Sequence, residues 1–326
     1  MDMNVDEKSI KVSIRCLVYN HEPYLRACLD GIVSQKTNFL FEAIIHDDAS
    51  TDGSAAIIRE YAEKYPHIIK PIFQSQNQYS QNPARPDSFV TKACRGEYWA
   101  LCEGDDYWID PLKLQKQVDF LDAHSDYSLT CSDAVILTSE GEQRWKRYDE
   151  DCDIPVKDVI LKGGAWLHTV TLLYRAEIVK DWPKFASACH VGDYPLAIHA
   201  ALKGKIRYFA EPTAVYRYQS IGSWTSRSCI DERYFEKWLS EIRMLQGYNQ
   251  YSNGLYDTYF KQRIAKFVIF YLRHVPAMRK RISQELPGFA KWFKFSDRLK
   301  WWRICLGLNG LGRKFKKRFC HSGKSK

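Results

Sequence analysis

The first chemistry this chain offers is the stretch Cys102-Glu103-Gly104-Asp105-Asp106-Tyr107-Trp108, in which three carboxylates crowd into four positions. Acids spaced this tightly repel one another, and a fold tolerates them best around a cation. Hard divalent cations choose oxygen ligands and commonly keep a bond to substrate phosphate, so a metal carrying a phosphate is the natural reading. The other reading is a solvated acidic turn. A second cluster, Asp47-Asp48-Ala49-Ser50-Thr51-Asp52-Gly53-Ser54, ends in residues that cap helices. Capping accounts for residues 50–54 but leaves the preceding acid pair unexplained. A third, His190-Val191-Gly192-Asp193-Tyr194-Pro195, sets one carboxylate where a helix opens, a position that also suits an N-cap.

Hydrophobic periodicity supplies the elements that must hold these groups. Residues 11–18 are β-branched and apolar, a buried-strand pattern. Tyr19-Asn20-His21-Glu22-Pro23 closes that strand, and helical spacing follows over 24–34. Strands are predicted at 41–46, 68–73 and 97–102, with helices at 54–64 and 88–94 and a polar loop at 74–87. Strand–helix alternation predicts an α/β fold with a mostly parallel, doubly wound sheet. Its strand ends should meet along one edge and form a nucleotide crevice. This half holds no G-x-G-x-x-G and no G-x-x-x-x-G-K-[ST], which disfavours dinucleotide dehydrogenases and P-loop enzymes.

Further along, 111–124 is an amphipathic helix with Leu114, Val118 and Leu121 as its seam. Strands are predicted at 129–137, 168–174, 206–209 and 214–218, a charged loop or hairpin at 140–153, a turn at Gly163-Gly164 and a helix to residue 202. From 231 the pattern turns helical, over 234–248 and 256–272. Tyr107 and Trp108 read first as packing aromatics, and His168, His190 and His199 as structural histidines.

The net charge of +9 is unevenly placed. Residues 291–326 hold 12 lysines and arginines against Asp297 alone, and the remaining body carries 36 basic and 38 acidic residues. A near-neutral body argues against nucleic-acid binding, whose basic patch belongs on the folded surface. Ten cysteines are scattered without a CxxC pair, which disfavours a disulfide or thiolate-metal scaffold and fits a reducing cytosol. No signal peptide or membrane span is expected.

These pieces, in this order, resemble the inverting family 2 glycosyltransferases of GT-A fold, bacterial enzymes that build surface polysaccharides from nucleotide-sugars. VSIRCLVYNHE (12–22) is similar to the family's opening strand and nucleotide loop, and HDDASTDGS (46–54) to its Asp-Asp-x-Ser-x-Asp-Gly-Ser signature. EGDDYW (103–108) is similar to its DxD metal motif, and HVGDYP (190–195) to the motif carrying its base. The likeness covers residues 10–225.

The resemblance implies a Rossmann-like, mostly parallel sheet flanked by helices, with a helical C-terminal extension. It implies that Tyr19 packs beside the base of the donor nucleotide and that Glu22 supports the ribose and nucleotide loop. Asp48 would accept a hydrogen bond from the base, with Asp47 beside it. Asp105 would contact the ribose and Asp106 would hold Mn²⁺ or Mg²⁺ against the diphosphate, the two being able to trade roles. Glu103 stands in the first DxD position, a longer side chain of the same charge. Asp193 would deprotonate the acceptor hydroxyl, and direct displacement would invert the anomeric centre.

YRYQSIGSW (216–224) is similar to a loop that often reads Tyr-Arg-x-His followed by Gly and Trp, with Gln219 in place of the histidine. Arg217 would reach phosphate oxygens, and Trp108, Trp224 and His168 are acceptor-side candidates. The expected donor is a UDP-sugar, and the acceptor a saccharide or lipid-linked saccharide in capsule, lipopolysaccharide or exopolysaccharide synthesis. The expected organisation is a catalytic domain at 1–228 and a helical extension at 229–326, in the cytoplasm. The aromatic, basic segment 289–326 suits peripheral contact with the cytoplasmic face of the inner membrane. Two other readings stand beside this one: a sugar nucleotidyltransferase, and a non-catalytic nucleotide-sugar-binding protein.

Overall fold

The computed structural model describes residues 9–82, 85–218 and 234–292. Gln219, Trp224 and the tail from residue 293 therefore lie outside the described residues.

Strand β1 (Val12–Val18) is followed by α1 (Glu22–Val33), β2 (Phe41–Asp47), α2 (Ser54–Lys64) and β3 (Ile69–Phe73). Parallel pairing of β1 with β2, and of β2 with β3, follows from the helical crossovers between them. The expected loop at 74–87 is partly helical: α3 (Gln78–Gln81) and α4 (Arg85–Ala93) interrupt it. Strand β4 (Tyr98–Leu101) then pairs parallel to β1, which brings residue 102 onward beside the end of β1. Val12, Ile14, Cys16 and Val18 are buried with Leu25, Cys28, Leu29 and Ile32 of α1 in one core cluster.

The acidic stretch turns straight back into β5 (Tyr107–Trp108). Helix α1 packs so closely on β5 that a Cβ at Gly31 would lie 2.7 Å from the Trp108 carbonyl oxygen. Helix α5 (Lys113–Ala123) leads to β6 (Tyr127–Thr138), whose hairpin partner is β7 (Gly141–Arg144). A two-residue β8 (Cys152–Asp153), α6 (Val156–Lys162) and short 3₁₀ turns follow. The strand expected at 168–174 is mostly one of those turns, Thr169–Thr171, and only β9 (Leu173–Arg175) is extended. Here a β-branched run misled the reading: the Thr171 amide and hydroxyl both bond back to the His168 carbonyl.

Helices α7 (Lys184–Ser187) and α8 (Asp193–Lys203) precede β10 (Lys205–Arg217), a single bulged strand where two short ones were expected. Among the described residues ten strands form one sheet, with the path β3-β2-β1-β4-β9-β6-β10-β5 and β7 and β8 at its side. Only β5, β7, β8 and β9 run antiparallel to their neighbours, so the sheet is mostly parallel.

The chain divides into two compact units, one running to Ser187 and resuming at Gly192, the other made of Ala188–Val191 and the residues after the first unit. The second holds α9 (Phe235–Tyr251), α10 (Asp257–His274) and α11 (Arg279–Glu285). Its core includes Phe235, Leu239, Ile242 and Phe260, with Trp238 stacked on Tyr271 at 4.6 Å. His190 belongs to this unit, bonded to Ser240 and Tyr234, and burial lowers its pKa to about 4. His199 is likewise enclosed, 3.3 Å from Asp181. No helix among the described residues is long and apolar enough to cross a membrane.

Candidate functional site

The carboxyl ends of β1, β2 and β4 share one edge, and the loops leaving β1 and β2 are stitched together there. Asn20 N donates to Ser50 Oγ, His21 N to Ser54 Oγ and Glu22 N to Asp52 Oδ2, at 2.9–3.0 Å. In return Thr51 N donates to Asn20 Oδ1 at 2.8 Å and Gly53 N to Glu22 Oε2 at 2.7 Å. The Ser and Asp side chains that suggested a helix cap thus serve mainly to tie two loops. Glu22 supports the loop by gripping the start of α2. Asn20 and Ala49 both have positive φ, 56° and 60°, which turn the chain sharply at the two strand ends.

Asp48 commits its two oxygens to the amides of Gln78 (2.7 Å) and Tyr79 (2.9 Å), fixing the start of α3. Asp47 accepts from Ser50 N through Oδ2, while its enclosed Oδ1 has no hydrogen-bond partner among the described residues. Tyr19 and Tyr79 leave 37% and 45% of their surfaces open, aromatic faces beside this acid pair. The sequence reading missed Tyr79; its only signal was an aromatic in a polar loop.

Glu103 to Asp106 form a tight turn, Asp106 N donating to Glu103 O at 3.0 Å and Gly104 N to Leu17 O at 3.1 Å. Beneath it the buried thiols of Cys28 and Cys102 lie 3.7 Å apart, with Cys28 Sγ 3.5 Å from Glu103 O. Burial, then the charge of Asp105, pushes Glu103 up to about 8 and holds Asp106 well above the usual carboxylate range. Asp106 Oδ1 accepts from Arg217 N at 2.8 Å, and Arg217 Nη1 donates to Asp105 O at 2.5 Å.

Among the described residues no three His, Cys, Asp or Glu side chains form a ready-made metal cage. The acids present are hard oxygen donors that resist ionising together. That set fits an ion that completes its shell with diphosphate oxygens and water rather than with protein alone.

Asp193 opens α8 as its first residue, with Gly192 in the N-cap position. Its Oδ1 accepts from Tyr194 N at 2.8 Å, and burial raises its pKa. A Cβ at Gly164 would stand 3.1 Å from both Asp193 oxygens and 2.7 Å from Tyr194 Cβ, so the Gly163-Gly164 turn forms a wall against the carboxylate. The paired glycines were the sequence signal for that wall, read there only as a turn.

The acceptor-side candidates separate. Trp108 is a core residue, 3% exposed, with Nε1 donating to Val170 O at 2.8 Å and Lys113 Nζ 4.3 Å from its ring centre. It is packing and offers no sugar platform. His168 is 5% exposed, and burial lowers its pKa to about 4. Neutral at pH 7, it takes a hydrogen bond from Arg147 Nη2 at Nε2, 3.2 Å away. Arg147 Nε in turn donates to Trp166 O at 2.6 Å, and the His168 ring lies 5.8 Å from that of Tyr216. This contact path runs from the residue preceding Arg217 to the turn that walls Asp193. A cavity of about 530 Å³, lined by Arg95, Glu97, Trp99 and Lys180, lies at the opposite, amino end of β4.

The pattern that defines glycosyl transferase family 2 matches residues 13–179. An uncharacterized glycosyltransferase of Nostoc sp. is 30% identical over 263 residues, 75% of this chain and 75% of that protein. An uncharacterized protein of Mycobacterium tuberculosis is 34% identical over 232 residues, a match that covers 69% of this chain and 64% of that relative's length. Staphylococcus aureus TarS 1-349, solved in complex with UDP, aligns with a TM-score of 0.59 at 18% identity, over 90% of this chain and 79% of that one. The Pyrobaculum calidifontis mannosyltransferase PcManGT, solved with GDP-Man and Mn²⁺, aligns at 0.50 and 13%, over 92% and 87%. At such identities the two structures establish the GT-A fold and nothing finer.

Proposed function

Because the chain belongs to glycosyl transferase family 2, we propose that it transfers a sugar, with inversion, from a UDP-sugar to a hydroxyl of a saccharide or lipid-linked saccharide. The observation that carries this reading is the acidic turn Glu103–Asp106, in which burial and the neighbouring Asp105 charge raise Glu103 and Asp106 above the usual carboxylate range, a cost that a bound cation would offset. The base would lie against Tyr19, with Asp47 and Asp48 at its edge. Asp105 and Asp106 would hold Mn²⁺ or Mg²⁺ together with the donor's diphosphate. When bound, such an ion supplies positive charge against the oxygen that takes up the leaving electrons. Arg217 adds a second positive charge on the same side. Uridine is favoured because TarS binds UDP and UDP-GlcNAc in solved structures.

Asp193 takes the proton of the acceptor hydroxyl. A sugar hydroxyl is a poor nucleophile, and a carboxylate whose pKa is raised toward working pH is the better base. The Gly164 wall fixes that carboxylate's direction. Attack from the face opposite the diphosphate inverts the anomeric carbon in one displacement. A place in surface-polysaccharide synthesis is supported by relatives named as poly(ribitol-phosphate) transferases of Bacillus spizizenii and S. aureus. The catalytic domain is taken to span 1–228 and the helical extension 229–326. The basic aromatic tail is taken to touch the cytoplasmic membrane face; equal liposome flotation with and without residues 289–326 would refute that contact.

The deciding experiment is a thermal-shift screen of UDP, GDP, TDP and CMP with and without Mn²⁺, on wild type and Asp106→Ala. One nucleotide should raise Tm only with Mn²⁺, and the variant should lose the rise. No shift with any nucleotide would remove the basis for this function. Asp193→Asn should bind donor and fail to transfer; full transfer by that variant would favour a different base.

A further inference from the structure

Arg217 is held in an unusual way for a cation beside three acids. Among the described residues its guanidinium is in hydrogen-bond contact with no carboxylate oxygen, although its charge acts on the Asp106 carboxyl through space. Nη1 is bonded instead to the backbone carbonyl of Asp105. The guanidinium carbon lies 5.1 Å from the ring centre of Tyr24 and 4.5 Å from that of Tyr107. Tyr24 comes from the first turns of α1 and Tyr107 from β5, so two separate elements converge on one side chain. Aromatic faces attract a cation through their quadrupole without cancelling its charge.

We infer that Tyr24 and Tyr107 are positioning residues, which hold Arg217 oriented and un-neutralised for the diphosphate of the donor. The inference rests on the nucleotide-sugar reading for the identity of that anion. Its physical content is narrower: a carbonyl and two rings fix a planar donor group without a carboxylate bonded to it. A carboxylate in place of the rings would fix the side chain equally well and cancel the charge.

The test is calorimetric titration of the full chain with inorganic pyrophosphate at constant free Mn²⁺, using Tyr24→Leu, Tyr107→Leu, the corresponding Phe variants and Arg217→Met. Each Leu variant should bind roughly ten-fold more weakly, and each Phe variant within about two-fold of wild type, since phenyl keeps the quadrupole. In an Arg217→Met background the Leu changes should cost nothing further, because their effect passes through that side chain. Tyr24→Leu carries the test alone should Tyr107→Leu fail to fold.

Undiminished binding by the Leu variants, an equal loss in the Phe variants, a Leu effect that persists without Arg217, or no pyrophosphate binding by wild type would each overturn the inference. Titration with UDP, GDP and TDP judges the donor reading separately. Binding of all three no tighter than pyrophosphate would end that reading and leave the positioning role standing.

Discussion

The backbone amide of Arg217 donates to Asp106 Oδ1 across 2.8 Å, joining residues 111 positions apart. One oxygen of the Asp106 carboxylate is thereby assigned to the end of β10, and under the proposed function the other would serve the cation. The turn and the strand end that follows it in space are a single mechanical unit.

Asp106→Asn should separate the two duties. Asparagine can still accept from Arg217 N, so the fold should survive with a melting temperature near that of wild type. It lacks the negative charge, and Mn²⁺-dependent nucleotide binding should weaken by at least about ten-fold. Calorimetry with and without Mn²⁺ reads this directly. Asp106→Ala should lose both.

Glu103 and Lys113 should give the metal-free protein opposite pH slopes. Glu103 is raised to about 8, so the folded state binds more protons than the unfolded one between the ordinary carboxylate range and pH 8. Stability from this group is therefore lost as pH rises through that window, by no more than about 1.4 kcal/mol per unit. Lys113, fully buried against Trp108, is lowered to about 7 by burial. The unfolded state then binds the extra proton from pH 7 to the ordinary lysine range, and stability rises across it. Urea denaturation against pH should show Glu103→Gln flattening the acid limb and Lys113→Met the alkaline one.

Gly164→Ala should act on turnover rather than on donor binding. Its methyl would have to displace the Asp193 carboxylate or Tyr194 Cβ, and overpacking of this kind costs about 1–3 kcal/mol. We expect kcat to fall toward that of Asp193→Asn, a loss of about 10²–10⁴-fold, with the nucleotide Kd unchanged. Comparing the two variants by single-turnover transfer and calorimetry checks this; an unchanged kcat in Gly164→Ala would show that the wall does not direct the base.

Asn20 should matter through its backbone as much as its amide. At φ 56° it sits where an alanine is strained by about 1–2 kcal/mol, and its Oδ1 also accepts from Thr51 N. Asn20→Ala should therefore destabilise more than Asn20→Gly, which loses only the side-chain bond. Chemical denaturation of the pair measures the difference.

Local pattern alone was enough to place β1, β2, β4, α1, α2 and α5, and to put acids at the strand ends, because burial on a strand or a helix face leaves its period in neighbouring residues. The order of motifs identified the family from the same string. What local pattern does not carry is which distant groups meet. That Asp48 holds α3, that Ser50, Asp52 and Ser54 tie the β1 loop, that Trp108 is core and that Tyr24 and Tyr107 share Arg217 all depend on pairings between elements far apart in sequence. So does the merging of two expected strands into β10, whose bulges follow the register of β6 and not its own composition. The sequence by itself settled which residues carry charge and where each strand must end; only the packed sheet decided which of those charges are already committed and which remain open to a ligand.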